Sequence, residues 1–226
     1  ESVDYAGLRK EQVAQRAAFK RGETREIMGL GVSFFTEIVG AGPSKNCDIL
    51  GIAMFDSCEI RMHPTGSGIA RVGSKSQGQG HETTWAQIIA TEIGIPADDI
   101  MVEEGNTDTA PYGLGTYGSR STPVAGAAIA MASRKIKAKA QMIAAYKLEV
   151  HEDDLEWDID GFRVKGLPEK TMSMKDICWA AYNSVPPGME PGLEAVSYYD
   201  TPNMTYPFGA YICVMNIDVD TVVYKI

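Results

Sequence analysis

Residues 73–87 read Gly-Ser-Lys-Ser-Gln-Gly-Gln-Gly-His-Glu-Thr-Thr-Trp-Ala-Gln, a glycine- and hydroxyl-rich loop that runs straight into an apolar helix pattern. About forty residues later, residues 113–123 repeat the arrangement as Gly-Leu-Gly-Thr-Tyr-Gly-Ser-Arg-Ser-Thr-Pro. Such a loop leaves backbone N–H groups at the positive end of a helix, where an anionic phosphate is stabilised. Two of them can clamp one large phosphorylated cofactor.

The surrounding pattern predicts a helix over 80–94, with apolar Trp85, Ile88, Ile89 and Ile93 and a stop at Gly94 and Pro96. A short strand at 100–103 and a loop to about 119 lead to a long Ala-rich helix over 122–146, with Pro123 in its first turn. Upstream, the reading is an amphipathic helix over 5–20, a strand over 25–39, a turn-rich connector over 40–46, and strands 50–62 and 67–74 joined by Pro64-Thr-Gly-Ser. Downstream it is a hairpin of 153–159 and 161–164 around Asp160-Gly161, a helix over 174–182, and strands 197–200 and 210–220. Mixed helices and β-hairpins without regular βαβ alternation place the chain in the α+β class.

The 226 residues are 44% hydrophobic and 23% charged, the balance of a globular chain that buries a core. Thirty acidic against 21 basic residues give a net charge of −9, which argues against nucleic-acid partners. The basic run Arg134-Lys135-Ile-Lys137-Ala-Lys139 reads as a solvated helix face. No apolar run approaches the ~20 residues of a membrane span. The N-terminus lacks the basic and apolar regions of a signal peptide. Cysteines 47, 58, 178 and 213 have no zinc-like spacing with one another or with histidines 63, 81 and 151. They read as reduced thiols of a cytosolic chain, Cys213 as a core residue. Asn203-Met-Thr205 fits the glycosylation triplet by chance.

Gly113-Leu-Gly115-Thr-Tyr-Gly118 has the dinucleotide spacing, but it stands ten residues past the strand ending near Glu103 and precedes a long helix with no strand. Gly73-Ser-Lys75-Ser76 fails the P-loop pattern because Ser74 separates the glycine from the lysine. The segment from Gln77 to Thr84 is better suited to a ligand. Gly78 and Gly80 allow close main-chain approach, Gln79 offers an amide edge to a heterocycle, and Thr83 and Thr84 offer hydroxyls. An ordinary strand-to-helix turn with a polar cap would use the same residues, and local chemistry leaves the two readings open. His81 reads as a helix-capping histidine ahead of a general base. Glu82 and Glu92 read as solvated helix positions, and neither Asp98-Asp99 nor Glu103-Glu104 forms an acid–base pair by sequence. Ser121 or Thr122 is a competent N-cap. With Gly118, Ser119 and a charge from Arg120 the same turn can hold a pyrophosphate; the alternative is an ordinary cap beside a surface arginine.

Together these stretches resemble the xanthine oxidase family of molybdenum hydroxylases, most of all the large subunits of its aerobic carbon monoxide dehydrogenase branch. The likeness lies in Ser76-Gln-Gly-Gln-Gly-His-Glu-Thr-Thr, Ala86-Gln-Ile-Ile-Ala, Gly94-Ile-Pro, Asn106-Thr-Asp-Thr-Ala-Pro-Tyr-Gly, Gly118-Ser-Arg-Ser and Arg134-Lys-Ile. It extends to Phe34-Phe-Thr-Glu-Ile-Val-Gly-Ala-Gly-Pro-Ser, Val164-Lys-Gly-Leu-Pro and Tyr206-Pro-Phe-Gly-Ala, and so spans essentially the whole chain. Thr221-Val-Val-Tyr departs from it, where a Thr-Gly turn is expected.

The resemblance implies part of a molybdenum-cofactor-binding domain contacting molybdopterin cytosine dinucleotide. Gln77, Gly78, Gln79, Gly80, His81 and Thr84 would lie along the pterin and pyrophosphate, and Gly118, Ser119, Arg120 and Ser121 would meet the dinucleotide from the other side. It further implies oxidation of CO with water to CO2, two protons and two electrons, at molybdenum bridged to copper. Iron–sulfur and FAD subunits would carry the electrons, in a dimer of heterotrimers in the cytoplasm or against the inner face of its membrane. A segment of an aldehyde or N-heterocycle hydroxylase, or a catalytically silent binding fragment, are the alternatives. The copper-holding cysteine loop and the catalytic glutamate motif of the family have no counterpart here, so no catalytic residue and no metal ligand is expected in this segment. The chain begins without Met and ends within a strand pattern. We read it as an internal segment, residues 1–65 leading in and 66–226 carrying the cofactor loops and helices.

Overall fold

In the computed structural model, residues 3–38, 43–46 and 51–226 are described. The chain divides into two compact units, one of residues Glu1–Ile38 with Tyr206–Ile226 and one of Val39–Thr205.

In the first unit, helix α1 (Tyr5–Lys20) starts at Asp4, whose carboxylate accepts the Gly7 N–H at 2.8 Å. It packs on strand β1 (Glu26–Thr36), which pairs antiparallel along its full length with a late strand, Phe208–Asp218 (β9 in chain order). A two-residue strand, Tyr224–Lys225 (β10), completes the sheet. Pairing between strands about 180 residues apart is invisible to a local pattern. Cys213 corrects the sequence reading: it is exposed on β9. Apolar alternation marks a face that can be covered, and within this unit α1 packs on β1.

The second unit contains β2 (Asp56–Met62), β3 (Gly68–Val72), α2 (His81–Ile93), β4 (Ile100–Glu104), α3 (Ala127–Leu148), β5 (Leu155–Asp158), β6 (Gly161–Val164), β7 (Leu167–Ser173), α4 (Met174–Asn183) and β8 (Glu194–Tyr199). The order β4-β3-β2-β8 builds a four-stranded sheet, and β5-β6-β7 a small antiparallel one. The strand β7 was not expected from the sequence, because its polar run Leu-Pro-Glu-Lys-Thr lacks an apolar face. The α+β class holds, with one exception inside it. β3 and β4 are parallel, with Val72 opposite Glu104, so β3-α2-β4 is a crossover unit.

α2 and α3 pack on each other and on the sheet, α2 against β4 and α3 against β2 and β8. Trp85, Ile89 and Ile93 of α2 and Ile129, Ile136 and Ile143 of α3 are fully buried there. Gly94 ends α2 in the left-handed region, as the sequence implied. α3 is preceded by a π-helical turn over Ser121–Gly126, where the sequence pattern promised a plain helix start. The basic run is not simply solvated. Arg134 pairs with Glu92 at 2.7 Å, Lys135 and Lys139 donate to the carbonyls of Val196 and Glu190, and Lys137 lies 3.6 Å over the Trp157 ring. Cys58 and Cys178 are buried, and burial pushes both thiols up, Cys178 to about 12. Cys47, residues 39–42 and the expected strand start at residue 50 lie outside the described residues.

Ile143→Ala removes fully buried atoms between α3 and its neighbours and should cost about 2–5 kcal/mol, whereas Ile159→Ala, 86% exposed, should cost under about 0.5. Urea unfolding midpoints of the two variants check the assigned core.

Candidate functional site

The parallel crossover positions the site. The loop after β3 and the loop after β4 leave the carboxyl ends of adjacent parallel strands, the place where open α/β sheets hold their ligands. They meet at two points. Gly73 and Gly113 face each other over Asp56: a Cβ on Gly73 would lie 2.7 Å from both the Gly113 Cα and the Asp56 Oδ1. Further out, Thr116 takes the Lys75 N–H on its hydroxyl at 3.2 Å and the Gln77 side-chain amide on its carbonyl at 3.2 Å. Its hydroxyl also bonds Ser121 Oγ at 3.1 Å.

Asp56 and Arg120 clasp this junction. Both side chains have no exposure, and Arg120 Nη1 lies 2.7 Å from Asp56 Oδ2. The guanidinium also donates to the carbonyls of Gly115, Met54 and Phe55 at 2.6, 3.0 and 3.0 Å. Burial pushes the Asp56 carboxyl up, and the Ser57 N–H and Arg120 pull it back down. The structure therefore corrects both readings of Arg120: it is neither a surface residue nor turned to the cavity. The guanidinium spends its terminal nitrogens on three carbonyls and a carboxylate inside the protein, and what it orients is the turn 115–121.

Between the loops lies a cavity of about 400 Å³, lined by Gln77, Gln79, His81, Thr84, Thr116, Tyr117, Gly118, Ser119, Ser121 and Thr122. It brings together Gln77, Gln79, His81, Thr84, Gly118, Ser119 and Ser121 of the sequence-derived set; Gly78 and Gly80 belong to the same loop. Gly78 and Gly80 have φ of +106° and +75°, and a Cβ on either would meet nothing within 4 Å. Their outer face is thus open to close approach by a ligand. Gly80 caps α2 with no side-chain hydrogen bond, so its first-turn N–H groups lack a side-chain partner. Ser121 and Thr122 make no side-chain cap either, contrary to expectation, because the π turn starts at Ser121 and its hydroxyl goes to Thr116.

His81 is buried, with its ring 5.0 Å from Trp85 and its Nδ1 3.5 Å from Glu104 Oε1, too far for a hydrogen bond. Glu104 is the residue that sequence reasoning passed over. Its side chain has no exposure, and it accepts the Trp85 Nε1–H at 2.6 Å and the Ser76 N–H at 2.9 Å. The available signal was a carboxylate at a strand end facing the glycine loop, which only the β3–β4 register reveals. Thr116 was missed likewise, because its partners lie 41 and 39 residues away. Glu92 pairs with Arg134 across α2 and α3, and Glu82 is exposed. Among the described residues no group of three or more His, Cys, Asp or Glu is placed to hold a metal ion. No helix among them is long and apolar enough to cross a membrane.

The family described as molybdopterin cofactor-binding domain matches residues 1–226. The carbon monoxide dehydrogenase large chain of Afipia carboxidovorans is 79% identical over 225 residues, covering 100% of this chain and 28% of the relative. That of Hydrogenophaga pseudoflava is 65% identical over 218 residues, covering 96% of this chain and 27% of the relative. A crystal structure of a Cu,Mo-CO dehydrogenase in the carbon monoxide reduced state superposes with a TM-score of 0.84 at 80% identity, covering 98% of this chain and 28% of that one. The chain thus spans just over a quarter of the length of the curated relatives it matches.

Arg120→Ala leaves a buried carboxylate without its partner and should lower stability by about 3–5 kcal/mol. The double change Asp56→Leu with Arg120→Met should recover most of that loss while leaving the loop junction ill-defined. Denaturant midpoints of the single and double variants test this.

Proposed function

The chain belongs to the molybdopterin cofactor-binding domain family, and on that premise we propose that it holds molybdopterin cytosine dinucleotide within the large subunit of a molybdenum hydroxylase that oxidises CO with water to CO2, two protons and two electrons. The observation that carries this reading is the pair of glycine loops converging on one polar cavity from the carboxyl ends of β3 and β4. The residues present fit the group. Gly78 and Gly80 present an open main-chain face, and the first turn of α2 has no side-chain cap to displace.

In this reading Gln79 and Gln77 hydrogen-bond the heteroatom edge of the pterin, Gly78 and Gly80 let it lie against the main chain, and His81 and Thr84 line its path. Gly118, Ser119 and Ser121 meet the dinucleotide from the second loop. Arg120 contributes by holding that loop on Asp56 rather than by touching the ligand. The α2 N-terminus offsets phosphate charge, which matters in a chain with net charge −9. The cofactor, when bound, supplies the metal centre for oxygen transfer and two-electron chemistry. This chain's residues bind it, orient it and shield it from water. Copper beside molybdenum, an iron–sulfur subunit, an FAD subunit and assembly as a dimer of heterotrimers belong to the same proposal, as does a cytoplasmic or inner-membrane-face location. The identity of 79% to a carbon monoxide dehydrogenase large chain supports the CO-oxidising reading.

The full-length subunit, purified with its partners, should contain molybdenum and release CMP on acid treatment, and it should reduce a dye with CO. Gln79→Ala should weaken cofactor binding by about 1–3 kcal/mol, the cost of leaving a buried polar edge unpaired. That appears as a lower molybdenum and CMP content or slower turnover; unchanged content and unchanged rate would remove Gln79 from the site.

A further inference from the structure

We propose that Glu104 is a positioning residue for the cofactor, acting through His81 and Ser76; this rests on the cofactor reading above. The carboxylate is buried at the end of β4 and gathers three parts of the site. One oxygen takes the Trp85 indole N–H of α2 at 2.6 Å, the other takes the main-chain N–H of Ser76 at 2.9 Å, just before the Gln-Gly-Gln-Gly segment. The third part is His81. Its Nδ1 is buried, has no hydrogen-bond partner, and sits 3.5 Å from Glu104 Oε1.

A carboxylate is an acceptor only, so the nitrogen facing it is the one that carries a proton. The neighbouring carboxylate therefore favours N–H on Nδ1 of His81, a residue that lines the cavity. Hydrogen bonds of this kind are long in ligand-free sites and tighten in the complex. A shortening of that separation in the complex would give Nδ1 the partner it lacks. Glu104 is the charged group against the imidazole. Across the cavity Gln77, Gln79, Thr116, Tyr117, Ser119 and Ser121 are neutral, Glu82 on the same helix is exposed, and Arg120 is turned away on Asp56.

The test uses the full-length subunit in its complex, with Glu104→Gln, His81→Asn, the double variant, and Ile143→Val as a core substitution that only destabilises. Rates of molybdenum and CMP loss on dilution are measured, with thermal midpoints alongside. We expect Glu104→Gln to release the dinucleotide about tenfold faster or more. The double variant should lose less than the sum of the two single losses, because the two residues share the Glu104–His81 contact while Glu104 also holds Ser76 and Trp85. Ile143→Val should lower the midpoint and leave release unchanged. Wild-type release rates in Glu104→Gln, or losses that simply add in the double variant, would overturn the proposal. Wild-type protein purified without molybdenum or CMP would bring down the cofactor reading itself, and this role with it.

Discussion

The ion pair of Asp56 and Arg120 is the constraint on which the site depends. Two opposite charges with no exposure are costly to bury unless further bonds compensate, and here most of that capacity is used: the carboxylate accepts the Ser57 N–H and the guanidinium donates to three carbonyls through its terminal nitrogens, while its Nε–H has no partner. The pair joins the first residue of β2 to the turn entering α3. Two glycines, Gly73 and Gly113, leave room for that carboxylate where their loops cross. A side chain on either would collide with Asp56 or with the facing loop, so pair and glycines form one arrangement.

The parallel step inside an otherwise antiparallel sheet explains why the two loops share an edge. In an antiparallel neighbour the second loop would leave the opposite end of the sheet. With β3 and β4 parallel and α2 as the crossover, both loops emerge together. The buried isoleucines of α2 and α3 anchor that arrangement from beneath, and the charged face of α3 is spent on contacts to Glu92, Trp157 and main-chain carbonyls.

The chemistry of the cavity follows from what its walls lack and offer. Its lining carries no Asp, Glu, Lys or Arg, a suitable surface for a ligand that is largely polar and whose charge is met by a helix end. The charged groups nearby, Glu104, Asp56 and Arg120, stand behind the wall and fix the loops. Burying these charges while leaving amides and main chain at the surface gives a shaped site whose donors are held before a ligand arrives.

Much of this was legible in the sequence. Residues 5–20, 81–93 and 174–183 show their helices through apolar period and end signals such as Gly94 and Pro96, because those interactions span three or four residues. The Gln-Gly-Gln-Gly loop and the Gly-Ser-Arg-Ser turn announced a site for the same reason: glycine and hydroxyl residues at a helix start carry local meaning. What the tertiary structure decided is where a side chain goes when its partner is distant. Arg120 looked like a charge for a phosphate and is instead buried on a residue 64 positions away. Glu104 looked idle and holds Ser76 and Trp85. Cys213 had a core pattern and is exposed. The sequence by itself determined much of the local conformation and singled out the two loops that line the cavity. Which charges are buried, and which strands run parallel, was decided only when the chain folded, because both depend on desolvation and pairing between residues that sequence spacing does not bring together.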